Sequence, residues 1–248
     1  MKRMMLCSLA ALVFAMQAHG AEVMVAVAAN FAAPMKAIAQ SFENETGHKL
    51  VLSLGSTGNI YAQIRHGAPF EAFLAADAET PRRLEKEGLG VAGSRLTYAT
   101  GRLVLWSPHA GFVDKQGDIL RRAAFQRLAM ANPKLAPYGA AAWQVMAKLG
   151  LEEVLKPKLV QGENIAQAYQ FVVTENAQLG FVALSQVFSQ GQVSQGSAWV
   201  VPAHLHAPLQ QDAILLARGQ GKAAVRELMA FLKSDKAKAI IQSYGYDL

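Results

Sequence analysis

A single cysteine, Cys7, stands among 248 residues, and it lies inside the first apolar block. Downstream of that block there is no thiolate nucleophile, no disulfide and no cysteine-based metal site. Charge is also sparse: Asp, Glu, Lys and Arg make up 17% of the chain against 52% hydrophobic residues, a globular rather than a disordered composition. Basic residues cluster only at Arg82-Arg83 and from Lys233 to Lys238. These read as solvated helix faces, and no nucleic-acid partner is expected. After the first twenty residues no long apolar run occurs, so no bilayer-spanning segment is expected there. At this length one large domain or two smaller ones can each bury a core.

The first twenty residues have the three parts of a secretory signal: the basic pair Lys2-Arg3, the apolar stretch Met4 to Met16, and Ala18-His19-Gly20 as a cleavage site ahead of Ala21. Residues 1–20 are expected to be a signal peptide, with the mature chain exported. Removing two bases and no acid lowers the formal charge from +6 to +4.

From Val23 onward, short β-branched or apolar runs alternate with helical patterns. Val23 to Ala29 precedes a helical stripe of Phe31, Met35, Ile38, Ala39 and Phe42. Leu50 to Leu54 leads through Gly55-Ser56-Thr57-Gly58 to a helix carrying Ile60 and Ile64; Ala72 to Ala75 precedes a helix at 79–87. Leu103 to Trp106 and Leu128 to Ala131 follow, and Asn132 to Tyr138 leads into a helix from about Gly139 to Leu149. Lys158 to Gln161 then leads to a helix near Ile165, and Gly180 to Ala183 is a further strand. Such alternation predicts an α/β fold of mostly parallel sheets flanked by helices, in two lobes, with ligands at the carboxyl ends of the strands.

Motifs for chemistry are scarce. There is no G-x-S-x-G elbow and no phosphate-binding G-x-x-x-x-G-K-[ST] loop. His204 and His206 would share a face if they lay on a strand, but no acid is near in sequence until Asp212. Asp77 reads as a helix cap after a strand, with a catalytic acid as the alternative. An exported hydrolase using Ser56 or Thr57 with a histidine stays open, although no spaced base and acid accompany them. What remains is a set of helix starts with small neutral donors: Asn30, Ser56-Thr57-Gly58, Tyr138-Gly139 and Asn164-Ile165. Unpaired N–H groups and the positive dipole ends of several helices, converging on one point, bind an anion without a charged side chain.

At these residues the chain resembles the periplasmic molybdate-binding proteins of ABC importers. The resemblance runs through Val25-Ala26-Val27-Ala28-Ala29-Asn30-Phe31, Gly55-Ser56-Thr57-Gly58, Gly67-Ala68-Pro69, Phe73 to Asp77, Asn132-Pro133, Ala136-Pro137-Tyr138-Gly139, Gly162-Glu163-Asn164-Ile165 and the ending Tyr244-Gly245-Tyr246. It implies a type II two-lobed binding-protein fold with two hinge crossings, not an enzyme. Lobe 1 would comprise 21–101 plus 204–248 and lobe 2 102–203, with Arg102 to Trp106 and Val200 to Leu205 as the crossings. It further implies that molybdate or tungstate is held by the Asn30 main chain and amide, the Thr57 N–H and hydroxyl, the Tyr138 hydroxyl and the Ile165 N–H. The metal would come only within the oxyanion, with no direct protein ligand and no resident cofactor. A monomer delivering its ligand to a membrane permease is the implied arrangement.

Overall fold

A computed structural model describes residues 20–248; the expected signal peptide, apart from Gly20, and with it Cys7 lie outside the described residues. In chain order the strands are β1 Glu22–Ala28, β2 Lys49–Gly55, β3 Ala72–Leu74, β4 Leu96–Gly101, β5 Leu103–Ser107, β6 Leu128–Ala131, β7 Leu159–Gly162, β8 Leu179–Ala183, β9 Phe188–Ser189, β10 Gln192–Val193, β11 Ser197–Val200 and β12 Leu209–Leu215. The helices are α1 Ala32–Thr46, α2 Thr57–Arg65, α3 Glu79–Lys86, α4 Ile119–Arg122, α5 Pro137–Lys148, α6 Glu152–Leu155, α7 Ile165–Val173, α8 Ala223–Phe231 and α9 Asp235–Ser243.

Two five-stranded sheets, ordered β2-β1-β3-β12-β4 and β11-β5-β8-β6-β7, carry the architecture. In the first, β1 pairs in parallel with β2 and β3, whereas β12 is antiparallel to β3 and β4. In the second, β6 pairs in parallel with β7 and β8, whereas β5 is antiparallel to β8 and β11. Each sheet is therefore mixed, with one reversed strand among four that run alike. The reversal has a geometric cause. β5 and β12 are the strands by which the chain enters each sheet from the other, so they begin where their neighbours end.

The passages between sheets are short. Only Arg102 separates β4 from β5, while the return from β11 to β12 includes a 3₁₀ turn at Ala203–Leu205. Strands β4 and β12 escape the sequence pattern because Thr97, Gln211 and Asp212 interrupt their apolar runs, and β11, Ser197–Val200, is only four residues long.

Side-chain alternation splits each core into two layers. Val25 and Val27 pack with Met35, Ile38 and Phe42 of α1 on one face of the first sheet; Ala26 packs with Ile60 and Phe73 on the other. In the second sheet, Leu103 and Leu105 join Met130 and Met146, while Val104 and Trp106 join Ala129 and Val172. Strands buried on both faces read as continuous apolar runs, which is why β1 and β6 stand out in the sequence.

Helix starts position the loops. Residues 29–31 form a 3₁₀ turn before α1, one turn earlier than the helical stripe alone indicates. α5 begins at Pro137 rather than near Gly139, because proline's fixed φ and missing N–H suit the first helical position. Tyr138 and Gly139 thus belong to the first turn of α5. A side chain at Gly139 would put its Cβ 2.3 Å from the Ala131 carbonyl oxygen, so glycine lets α5 settle against the end of β6.

Candidate functional site

The 3₁₀ turn after β1, the Ser56 cap of α2, the first turn of α5 and the Asn164 cap of α7 surround one small cavity. It is tight, with a volume of about 10 Å³, and is lined by residues 28–30, 55–57, 76, 136–138 and 164–165. All four residues singled out from the sequence, Asn30, Thr57, Tyr138 and Ile165, line it, and none is more than 3% exposed. Three of the lining segments follow strands of the first sheet and two follow strands of the second, so the cavity lies between the sheets.

The donors differ in what they have left to give. Ser56 caps α2, its Oγ accepting the Asn59 N–H at 3.4 Å. The Thr57 Oγ1 accepts the Ala76 N–H at 3.0 Å, which leaves the hydroxyl proton for another acceptor. Asn164 Oδ1 accepts from the N–H groups of Ala166 and Gln167 at 3.0 and 3.1 Å, and the Ile165 N–H is not among its donors. Tyr138 contributes an N–H in the first turn of α5, where no intrahelical acceptor exists.

Of the side chains implied by the resemblance, the Asn30 amide has both protons committed elsewhere, and the Tyr138 hydroxyl accepts one bond. Asn30 Nδ2 donates to Gln211 Oε1 at 2.9 Å and to the Tyr246 hydroxyl at 3.0 Å, using both its protons. The Tyr138 hydroxyl accepts from Gln211 Nε2 at 3.2 Å. It also lies against Gly101, where a Cβ would come within 2.0 Å of it. For Asn30 the main-chain N–H is the donor left for the cavity, whereas Tyr138 keeps its hydroxyl proton as well as its main-chain N–H. Gln211 and Tyr246 hold these side chains and Ser185 the Asn30 main-chain carbonyl; Gln211 and Ser185 escape sequence reasoning, and Tyr246 enters it only as part of the resembling tail, because their partners lie far along the chain.

No charged side chain lines the cavity. Burial pushes the Tyr98 and Tyr138 hydroxyls well above the usual tyrosine range and Tyr246 up to about 12, so all three keep their protons. An adjoining cleft includes Thr57, Gly58 and Ala76, with Asp77 and Glu79 on one side and Lys134 on the other. Asp77 caps α3: its carboxylate accepts the Thr80 N–H at 2.7 Å and the Thr80 hydroxyl at 3.1 Å. Burial, outweighing those bonds, raises its pKa above the ordinary aspartate value. Across this cleft the Gly58 N–H donates to the Leu135 carbonyl at 2.9 Å, joining α2 to the loop before α5.

The competing chemistries fare poorly. No histidine and no acid lines the cavity, so Ser56 and Thr57 have no base at hand. His204 lies in a 3₁₀ turn and is exposed, while His206 is buried with its Nδ1 2.7 Å from the Ala207 carbonyl, so the pair does not share a strand face. Among the described residues no group of three or more His, Cys, Asp or Glu gathers. Gly88, Gly90 and Gly93 have the spacing of a dinucleotide motif but follow α3 and lead toward β4, so they form no strand-to-helix phosphate turn.

Residues 23–247 match the family described as bacterial extracellular solute-binding protein. The molybdate-binding protein ModA of Azotobacter vinelandii is 58% identical over 97% of this chain and 96% of its own length. That of Rhodobacter capsulatus is 49% identical over 94% and 90%. A solved Azotobacter vinelandii periplasmic molybdate-binding protein superposes with a TM-score of 0.88 at 39% identity, covering 91% of this chain and 99% of that one. The family is one of binding proteins, not enzymes, and its two-lobed type II fold matches the two flanked sheets and the cavity between them. This chain belongs to the bacterial extracellular solute-binding proteins.

Proposed function

We propose that this protein captures molybdate in the periplasm and delivers it to the membrane permease of an ABC importer. The observation that carries the reading is the cavity itself: four helix starts, two from each sheet, supply hydrogen-bond donors and no charged side chain. In this reading the oxyanion receives the N–H groups of Asn30, Thr57, Tyr138 and Ile165 together with the Thr57 and Tyr138 hydroxyls. Molybdate is a full dianion at neutral pH, and its four oxygens only accept hydrogen bonds. A site of donors alone suits it, and so does its near-isostere tungstate. Hydrogen phosphate carries a proton that needs an acceptor, and leaving a buried polar group unpaired costs about 1–3 kcal/mol. Sulfate has no such proton, so only the size of the cavity discriminates against it.

Residues 1–20 act as the export signal. Lobe 1 is 21–101 with 204–248, lobe 2 is 102–203, and the crossings at Arg102 to Trp106 and Val200 to Leu205 serve as the hinge. The anion bridges the lobes and stabilises the closed form by its differential affinity for closed over open. The protein works as a monomer without a resident cofactor. Among the described residues no helix is long and apolar enough to cross a membrane, which agrees with a separate permease. Calorimetric titration of the mature protein with molybdate, tungstate, sulfate and phosphate tests the reading. Tight binding of the first two and weak or no binding of the others is expected; no heat with molybdate, or equal affinity for sulfate, overturns it.

A further inference from the structure

We propose that Tyr246, Gln211 and Ser185 are positioning residues for the anion site, forming a buried latch between the sheets that fixes Asn30 and sets affinity without touching the anion. The proposal rests on the molybdate reading of the cavity.

Asn30 is held on every side. Its amide protons go to Gln211 Oε1 and the Tyr246 hydroxyl oxygen, while its main-chain carbonyl lies 2.9 Å from each of the Ser185 and Tyr246 hydroxyls, which can both donate to it. Tyr246 and Ser185 also lie 3.0 Å apart, hydroxyl to hydroxyl. These side chains are almost sealed from water: Asn30 is 3% exposed, Gln211 0%, Tyr246 4% and Ser185 7%. Water cannot readily replace a lost partner here, so each deletion leaves a buried group unpaired. With its carbonyl and its side chain both fixed, the Asn30 backbone has no freedom to turn its N–H away from the cavity.

The partners come from separate parts of the chain. Gln211 is on β12 of the first sheet and Tyr246 in the tail after α9, whereas Ser185 is in the 3₁₀ turn after β8 of the second sheet. Gln211 also reaches the second sheet's side through the Tyr138 hydroxyl. The bonds from Ser185 and to Tyr138 thus span the two lobes and exist only when the lobes meet. Two glycines permit the approach. Gly101 leaves room for the Tyr138 hydroxyl, and Gly245, at φ +80°, lies where a Cβ would be 3.0–3.1 Å from Phe188 and Leu184.

The tail that carries Tyr246 is itself tied to the first crossing. Asp247 exchanges main-chain bonds with Thr100 at 2.7 and 3.1 Å, and its carboxylate takes the Arg102 guanidinium at 2.8 and 2.6 Å. Tyr246 therefore stands between the crossing and the anion loop. A latch of this kind raises the closed fraction of the unliganded protein, and apparent affinity scales with the fraction competent to bind.

The test compares mature wild type, Tyr246→Phe, Ser185→Ala and the double variant. Molybdate affinity is measured by calorimetry, the radius of gyration with and without molybdate by small-angle scattering, and the unfolding midpoint without ligand. Each single variant is expected to bind molybdate about tenfold or more weakly, to be more expanded than wild type when unliganded, and to compact to the same size when saturated. The double variant is expected to lose far less than the product of the two single losses, because both act on one network. Wild-type affinity and an unchanged radius in the single variants overturn the latch, as does a loss of affinity that follows only a lowered midpoint. If wild type binds no molybdate, the molybdate reading fails instead, and scattering alone decides the latch: expanded variants support it and identical curves overturn it.

Discussion

The Thr57 hydroxyl oxygen accepts the Ala76 N–H at 3.0 Å, which ties the start of α2 to the segment after β3 and leaves the hydroxyl proton for another acceptor. Thr57→Val keeps the shape, removes the donor and leaves the Ala76 N–H unpaired in a residue 2% exposed. Molybdate affinity is expected to fall at least tenfold, with a stability loss of about 1–3 kcal/mol. Thr57→Ser should stay within a few-fold of wild type. Calorimetry and denaturant unfolding on the pair check both halves.

Ile165 offers a test of a main-chain donor. Asn164 is extended, at φ −144° and ψ 174°, the conformation that a following proline requires, and the first helical position tolerates proline. Ile165→Pro removes one N–H from the cavity while α7 persists. Affinity should drop by about tenfold or more, the value of one hydrogen bond to a charged group. Ile165→Ala, which keeps the N–H, separates this loss from that of the buried side chain.

Gly58 governs closure at the front of the cleft. Its N–H bonds the Leu135 carbonyl, and a Cβ there would sit 3.0 Å from that oxygen and 3.1 Å from the Leu135 Cα, both backbone atoms. Gly58→Ala should weaken molybdate binding severalfold while leaving the unfolding midpoint of the unliganded protein near wild type. Scattering in saturating molybdate should show incomplete compaction.

Asp77 places a carboxylate beside a site meant for a dianion. Its folded pKa is raised by burial, so the native state binds the proton more tightly than the unfolded chain. The resulting penalty on stability is present above the raised value and is relieved as pH falls through it. Asp77→Asn should remove this pH dependence, keep an acceptor for the Thr80 N–H, and strengthen molybdate binding at pH 7. Above pH 7 the affinity should stay flat, since the buried tyrosines hold their protons. Titrations from pH 5 to 9 on both proteins check this.

What could be read from the sequence was local. Ser56 and Asn164 announce helix starts because a cap is made within three residues of the cap itself. β1 and β6 announce themselves as unbroken apolar runs. The loops around the cavity were therefore legible, and the resemblance ordered them. The use of each side chain was not, because the Asn30–Gln211 bond spans 181 residues and the Gln211–Tyr138 bond 73. Gln211 also hid its own strand: fully buried in β12, it sits with Gln210 and Asp212 in a polar run that breaks the apolar pattern.

The position of β12 bears on how the chain acquires its shape. It pairs with β3 on one side and β4 on the other, yet it is the last strand to be made. Every strand of the second sheet is complete by Val200, and it can assemble while β4 still lacks its sheet partner. The first sheet must wait for Leu209–Leu215 to fill the gap, a long-range pairing of the kind that slows folding. The same late strand brings Gln211 to Asn30, so the recognition loop takes its final form only when the last part of the chain has arrived.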